Sequence, residues 1–179
     1  KYAAVPFDGW IQAIWYRNDL FDELGLEPPV SWDAISAACE AIPGTGDFLY
    51  GVTLGTDPGQ NYGQQVFEQV AISNNAWPFD EAGNVTMNTP EMVATLQFMH
   101  DLKYTHKIVP LESDYDGASA MFKEGKAAML INGDWSLGDY KEALGDKFAT
   151  AALPMVSATS LWPAPYTSGK FLMVPVGVP

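Results

Sequence analysis

Three aspartates, Asp8, Asp57 and Asp134, and three tryptophans, Trp10, Trp135 and Trp162, fall at turns and strand ends rather than on the apolar stripes of helices. Together these residue types can hold a polyhydroxylated ring. An aromatic plane covers an apolar C–H face, and a carboxylate accepts hydrogen bonds from hydroxyls. A pyranose presents both surfaces, so aromatics with Asp or Asn in loops suit a neutral sugar. Each residue also has a plainer reading. Asp134 would cap the helix after Gly133, Asp57 would cap the one after Pro58, and any single tryptophan is equally at home in ordinary packing. Six tryptophans in 179 residues is nevertheless a high count for a chain this size.

A pair of carboxylates is also what a glycosidase needs, so a carbohydrate-active enzyme is one alternative and a stand-alone interaction module another. Other chemistry lacks its signatures. There is no GxxxxGK or GxGxxG phosphate loop and no GxSxG elbow. His100 and His106 are separated by a predicted helix end, with no Cys pair or HExxH beside them. Asp114-Tyr115-Asp116-Gly117 lacks the remaining ligands of a calcium loop and reads as a helix cap. Cys39 is the single cysteine. It keeps helical spacing with Trp32, Ile35 and Ile42, which predicts a buried, inert thiol with no base beside it. No catalysis, metal or cofactor is expected.

The elements that must position these side chains alternate between strand and helix. Residues 3–7 and 11–17 read as one long or kinked strand broken at Asp8-Gly9. Asn18-Asp19 caps a short helix ending at Gly25, and Ser31 caps another with Trp32, Ile35, Cys39 and Ile42 along one face. A short strand at 50–54 leads through a polar loop at 55–63 into a helix bearing Val66, Phe67, Val70 and Ala71. Residues 77–79 and 85–87 read as a hairpin around 80–84. Thr89 caps a helix with Pro90 at its first position and Met92, Leu96 and Met99 on one face. Asp114 caps the next, which Gly125 closes. A strand at 127–131, a helix at 134–144 and strands at 148–153 and 171–176 follow. The stretch 157–168 lacks any period and reads as a long loop. This alternation is that of a single α/β lobe over residues 1–179, with a short mixed sheet flanked by helices.

Bulk composition narrows the partners. A 47% hydrophobic and 17% charged chain is globular. A net charge of −13 with scattered Lys and Arg argues against nucleic acid. No apolar run reaches the ~18 residues of a membrane helix. The chain opens at Lys1 and stops at Pro179 inside strand-like runs, so it reads as a piece of something longer.

Several segments resemble the maltodextrin-binding-like branch of the extracellular solute-binding proteins of ABC sugar importers. The stretch YAAVPFDGWIQAIWYRNDLFDELGLEPPVSWDAI is similar to the part of these receptors that leaves the first lobe and builds the second. It carries Tyr16, Arg17, Asp19, Leu20 and Pro29-Val30-Ser31-Trp32. VTMNTPEMVATLQFMHDL resembles the family's Asn-(Ser/Thr)-Pro-Glu helix start. DYDGASAMFKEGKAAMLINGDWSL carries its most recognisable motif, with Phe122, Gly125, Lys126, Ala128-Met129, Asn132-Gly133 and Trp135.

The resemblance implies the second lobe of a two-lobed periplasmic-binding-protein fold, without the first lobe and the C-terminal helices. It implies an extracytoplasmic receptor, periplasmic or lipoprotein-anchored. Such a receptor binds a mono- or oligosaccharide between its lobes and delivers it to a membrane permease. Its ligand contacts would include Asp8, Gly9, Trp10, Asp57, Tyr62, Asn132, Trp135, Gly169 and Lys170. Trp135 would stack on the sugar, and Gly169 would admit a close approach, although many members carry a second glycine at the position of Lys170. A lobe without its mate is expected to self-associate.

Overall fold

The computed structural model describes residues 4–105, 110, 112–152 and 167–173. Trp162, His106 and most of the loop expected at 157–168 lie outside the described residues. The long strand expected near the N-terminus is present as β1 (Val5–Tyr16). Its first half is exposed, whereas Gln12, Ile14 and Trp15 in its second half are buried. The two halves have different neighbours. The first pairs antiparallel with β5 (Thr167–Leu172), with a register break between Pro6 and Asp8. Proline has no N–H to donate, which suits it to such a break. The second half pairs antiparallel with β3 (Ala127–Gly133) and, over residues 14–16, with β4 (Ala149–Ala151). The strand β2 (Tyr50–Thr53) lies parallel to β3, giving a mixed sheet ordered β2-β3-β1-β4 with β5 on β1.

Every residue of β3 is buried. Its continuous apolar run, AAMLI, is that of a strand covered on both faces. The helices are α1 (Asn18–Leu24), α2 (Trp32–Ala41), α3 (Asn61–Ser73), α4 (Pro90–His100), α5 (Tyr115–Lys123) and α6 (Leu137–Leu144). Three begin as their sequences predict. The side chains of Ser31, Thr89 and Asp114 accept from the N–H groups of Ala34, Met92 and Gly117 at 3.1, 3.2 and 2.7 Å. Gly25 ends α1 in the left-handed conformation, φ 65°. The start of α1 differs from expectation. Arg17 precedes the helix, no side chain caps it, and the Asp19 carboxylate instead takes two bonds from the Arg17 guanidinium at 2.8 and 2.7 Å. The predicted hairpin is present as one bridge, Phe79 to Val85, flanked by the Thr86 N–H on the Pro78 carbonyl at 2.9 Å. The Asp80 carboxylate braces its turn by accepting from the N–H groups of Ala82 and Asn84. Leu96, expected on the buried face of α4, is exposed, and Thr95 is buried instead.

The core joins Ile14 and Trp15 of β1, Phe21 of α1, Ile35 of α2, Val66 of α3, Phe122 of α5, Met129 and Leu130 of β3 and Tyr140 of α6. The helix α2 lies directly on β2. A Cβ at Gly51 would sit 2.5 Å from the Cys39 Cα, so only glycine permits that approach. Cys39 is fully buried, and loss of hydration, with Glu40 nearby, pushes its thiol far above the ordinary range. The thiolate is the reactive form. The folded protein should therefore resist iodoacetamide and take up one label only on unfolding. Rapid labelling detected by mass spectrometry under native conditions would contradict this burial.

Candidate ligand-binding site

A cavity of about 710 Å³ opens where β1 passes from the exposed ribbon into the sheet. Asp8, Gly9 and Trp10 of β1 and Lys170 of β5 form one wall. Asp134 and Trp135, in the turn after β3, form another. Gln60, Asn61, Tyr62 and Gln65, at the start of α3, complete it with Tyr115, the first residue of α5. The site thus gathers strand ends and helix starts from across the fold, the usual place for ligands in open α/β sheets.

The indoles of Trp10 and Trp135 meet edge to face, with centroids 6.1 Å apart and planes at 85°. Trp135 is 48% exposed, leaving much of its ring uncovered. Its Nε1–H donates to the Tyr115 hydroxyl at 2.7 Å, which fixes the ring in its plane. The Tyr115 hydroxyl also meets the Ser136 Oγ at 3.2 Å, and its ring packs edge-on against Tyr62 at 5.5 Å. Tyr62 is the buried floor of the cavity. Its hydroxyl donates to the Ile131 carbonyl at 2.6 Å, and burial, with Tyr140 and Tyr115 nearby, raises its phenol well above the ordinary range. Tyr62 therefore stays neutral and donates at any physiological pH. The Lys170 ammonium lies 6.0 Å from the Trp10 ring centroid.

Gly133 is what lets Trp135 lie where it does. A Cβ there would fall 2.0 Å from the indole Cζ3, so the ring covers the bare Cα. Its φ of −80° is open to any residue, so the requirement is for space alone. Gly133→Ala should leave the fold intact, turn the indole out of place and weaken ligand binding roughly tenfold, about one stacking contact. Unchanged affinity, or an unchanged Trp135 fluorescence response to ligand, would show that the ring has another resting position.

Of the residues expected at the site, the structure brings together Asp8, Gly9, Trp10, Tyr62, Trp135 and Lys170 in one cavity. It places three elsewhere. Asn132 is 1% exposed, and its polar atoms are spent internally. Its amide N–H groups donate to Tyr140 and Ser136 at 2.7 and 3.2 Å, and its oxygen accepts from Gly133 at 2.8 Å. It holds the turn that presents Trp135 rather than facing the cavity. Gly169 pairs with Gly9, and a Cβ on it would meet the Asp8 carbonyl at 2.7 Å, so the neighbouring strand occupies the space expected to admit a ligand. Asp57 borders a smaller neighbouring cavity of about 270 Å³. It accepts from the Gly59 N–H at 2.8 Å, forming a turn before α3 instead of capping it. Asp134 likewise makes no cap bond and is exposed at the cavity wall.

Gln60, Asn61, Gln65 and Tyr115 line the cavity without having been expected there. One signal was available. Asn61 and Gln65 are one turn apart on α3 and flank Tyr62, so a helix that begins at the site offers them together. Among the described residues no group of three His, Cys, Asp or Glu is placed to hold a metal ion.

Crossed indoles, a tyrosine floor, amides and carboxylates surround one open cavity. The chain belongs to the bacterial extracellular solute-binding proteins, whose family profile matches residues 1–179. It is 26% identical over 179 residues to the maltotriose-binding protein of Pyrococcus abyssi, covering 98% of this chain and 37% of that relative. The maltose/maltodextrin-binding domain MalE from Bdellovibrio bacteriovorus, solved bound to maltotriose, is 31% identical with a TM-score of 0.73, over 93% of this chain and 43% of that one. A solute-binding protein from Thermotoga lettingae, solved with α-D-tagatose, shares the fold at a TM-score of 0.83 and 22% identity, over 99% of this chain and 46% of that one. The chain spans about a third of the length of the curated relatives it matches. The family is extracellular, and among the described residues no helix is long and apolar enough to cross a membrane.

Proposed function

We propose that this chain is the second lobe of a sugar receptor serving an ABC importer. The receptor binds a mono- or oligosaccharide outside the cytoplasm, between this lobe and a first lobe, and presents it to the membrane permease. The observation that carries this reading is the pair of indoles at 85° in a cavity otherwise bordered by amide, carboxylate and hydroxyl groups. An indole face covers the C–H face of a pyranose, and the surrounding acceptors and donors meet its hydroxyls. The sugars named for the relatives support the same class of ligand. Function requires no bond to be made or broken. Ligand stabilises the closed receptor through contacts that both lobes make, which is a population shift.

Calorimetry of the intact receptor against a panel of maltodextrins and monosaccharides tests the reading, with chromatography of the recovered sugar as a control. Saturable binding without turnover is expected. Hydrolysis of the sugar would replace the receptor by an enzyme, and no binding across the panel would remove the sugar altogether. Within that experiment Trp135→Ala is expected to weaken binding by ~1–3 kcal/mol, the scale of a lost aromatic contact. Its melting temperature should stay close to that of the parent, since the residue is half exposed. An unchanged affinity would take Trp135 out of the site.

A further inference from the structure

We infer that a chain of buried amides running from α3 to the cavity fixes which face of Gln65 meets the ligand. This makes Gln12 and Gln69 positioning residues for specificity, an inference that rests on the sugar-receptor reading above. Gln12 and Gln69 are each 2% exposed. Gln12 lies two residues beyond Trp10 on a stretch of β1 whose neighbours Ile14 and Trp15 are core. A buried carboxamide there is costly unless its hydrogen bonds are made. The Gln69 Nε2 donates to the Gln12 Oε1, and the Gln12 Nε2 donates to the Gln65 Oε1 at 2.9 Å. Gln65 borders the cavity. Its carbonyl oxygen is thus turned inward, and its amide N–H groups are left for whatever fills the cavity.

The direction of the chain is set at its buried end. Among the amide atoms of Gln12, Gln65 and Gln69, the buried one left without a partner is the Gln69 Oε1. Reversing every amide would put the Gln69 NH₂ in that place, burying N–H groups with no acceptor. An unsatisfied carbonyl oxygen is the less costly of the two. The Gln65 position is therefore a donor, and a ligand must bring an oxygen acceptor to it: a hydroxyl, a ring oxygen or a glycosidic oxygen. A sugar lacking oxygen at that point should bind more weakly, and one carrying a methoxy group there should still be accepted as far as space allows.

Side-chain amide hydrogen exchange, followed by NMR in the ligand-free intact receptor, reads the direction without any sugar. The Gln65 carboxamide should exchange near the solvent rate, and those of Gln12 and Gln69 should be protected. A protected Gln65 amide would overturn the inference. Gln69→Glu places an acceptor-only group at the far end, away from the cavity. It draws the Gln12 N–H toward itself, then the Gln65 N–H toward Gln12, and so turns the Gln65 oxygen outward. With maltotriose as the probe, affinity should fall about tenfold and Gln65 should become protected, the change of one hydrogen bond from made to opposed. Gln12→Met cuts the chain but leaves Gln65 free to turn, so a loss of about threefold or less is expected. A reversed Gln65 with undiminished affinity would remove the specificity role. If the parent receptor binds no sugar, the functional reading fails, while the exchange pattern still decides the direction of the amide chain. The same pattern decides it if the glutamate variant does not fold.

Discussion

On the receptor reading proposed above, the 179-residue chain on its own is expected to bind sugar about a thousandfold more weakly than the two lobes together. The cavity is open to solvent and Trp135 in it is 48% exposed, so a ligand resting on Trp10 and Trp135 keeps its other face in water. Immobilising the ligand costs several kcal/mol whichever lobes are present. Losing ~4 kcal/mol of contacts from the first lobe then moves a micromolar affinity to millimolar. The chain also carries exposed apolar side chains. Val5, Phe7, Phe171, Leu172 and Met173 on the β1–β5 ribbon are 59, 68, 57, 59 and 69% exposed. Patches of this kind favour association. Light scattering should therefore show dimers or larger species, and calorimetry should show binding only at millimolar sugar. Micromolar affinity in a monomeric chain would contradict both expectations.

Phe122→Ala is expected to cost about 3–5 kcal/mol of folding stability, the range for removing a fully buried aromatic ring. Phe122 projects from α5 and is 0% exposed. Its ring packs edge-on against Tyr140 at 5.2 Å, and Tyr140 packs in turn against Trp15 at 5.0 Å. Tyr140 also holds Asn132, so the core ring and the turn bearing Trp135 share a support. Urea denaturation should show a lower midpoint with an unchanged slope. A loss below about 1 kcal/mol would mean that α5 and α6 can close over the vacancy.

What could be read from the sequence depended on how local the cause was. The caps at Ser31, Thr89 and Asp114 are set within three residues, and all formed as read. The apolar run of β3 is equally local, so the strand and the turn that bears Trp135 were legible. The break read at Asp8-Gly9, by contrast, lies between Pro6 and Asp8, and Asp8 and Gly9 pair regularly with β5. Asn132 reads as a ligand contact because it shares a motif with Gly133 and Trp135. Its burial comes from Tyr140, eight positions on and folded back over it. Asp57 and Asp134 looked like caps, but the helix after Asp57 begins only at Asn61, and the helical turn after β3 already includes Asp134, with Gly133 at its cap. Tyr115 reaches the cavity only because α5 converges on the start of α3, and no pattern within α5 encodes that meeting. Residue types were legible where the chain bends, and partnerships between distant elements were not.

The division of β1 between two sets of neighbours has a dynamic consequence. Residues 5–11 pair with β5 across an exposed ribbon, whereas residues 12–16 pair with β3, and residues 14–16 also with β4, in the sheet. Opening free energies follow local burial and pairing, so one continuous strand should contain two cooperative units. Backbone deuterium uptake should step at Gln12. Amides before it should open by local fraying, and those after it only when the whole domain unfolds. Asp8, Gly9 and Trp10 are on the early-opening side of that step, and Trp135 is on the late side. The cavity thus joins a yielding wall to a rigid one, and ligand binding should slow exchange chiefly on the ribbon.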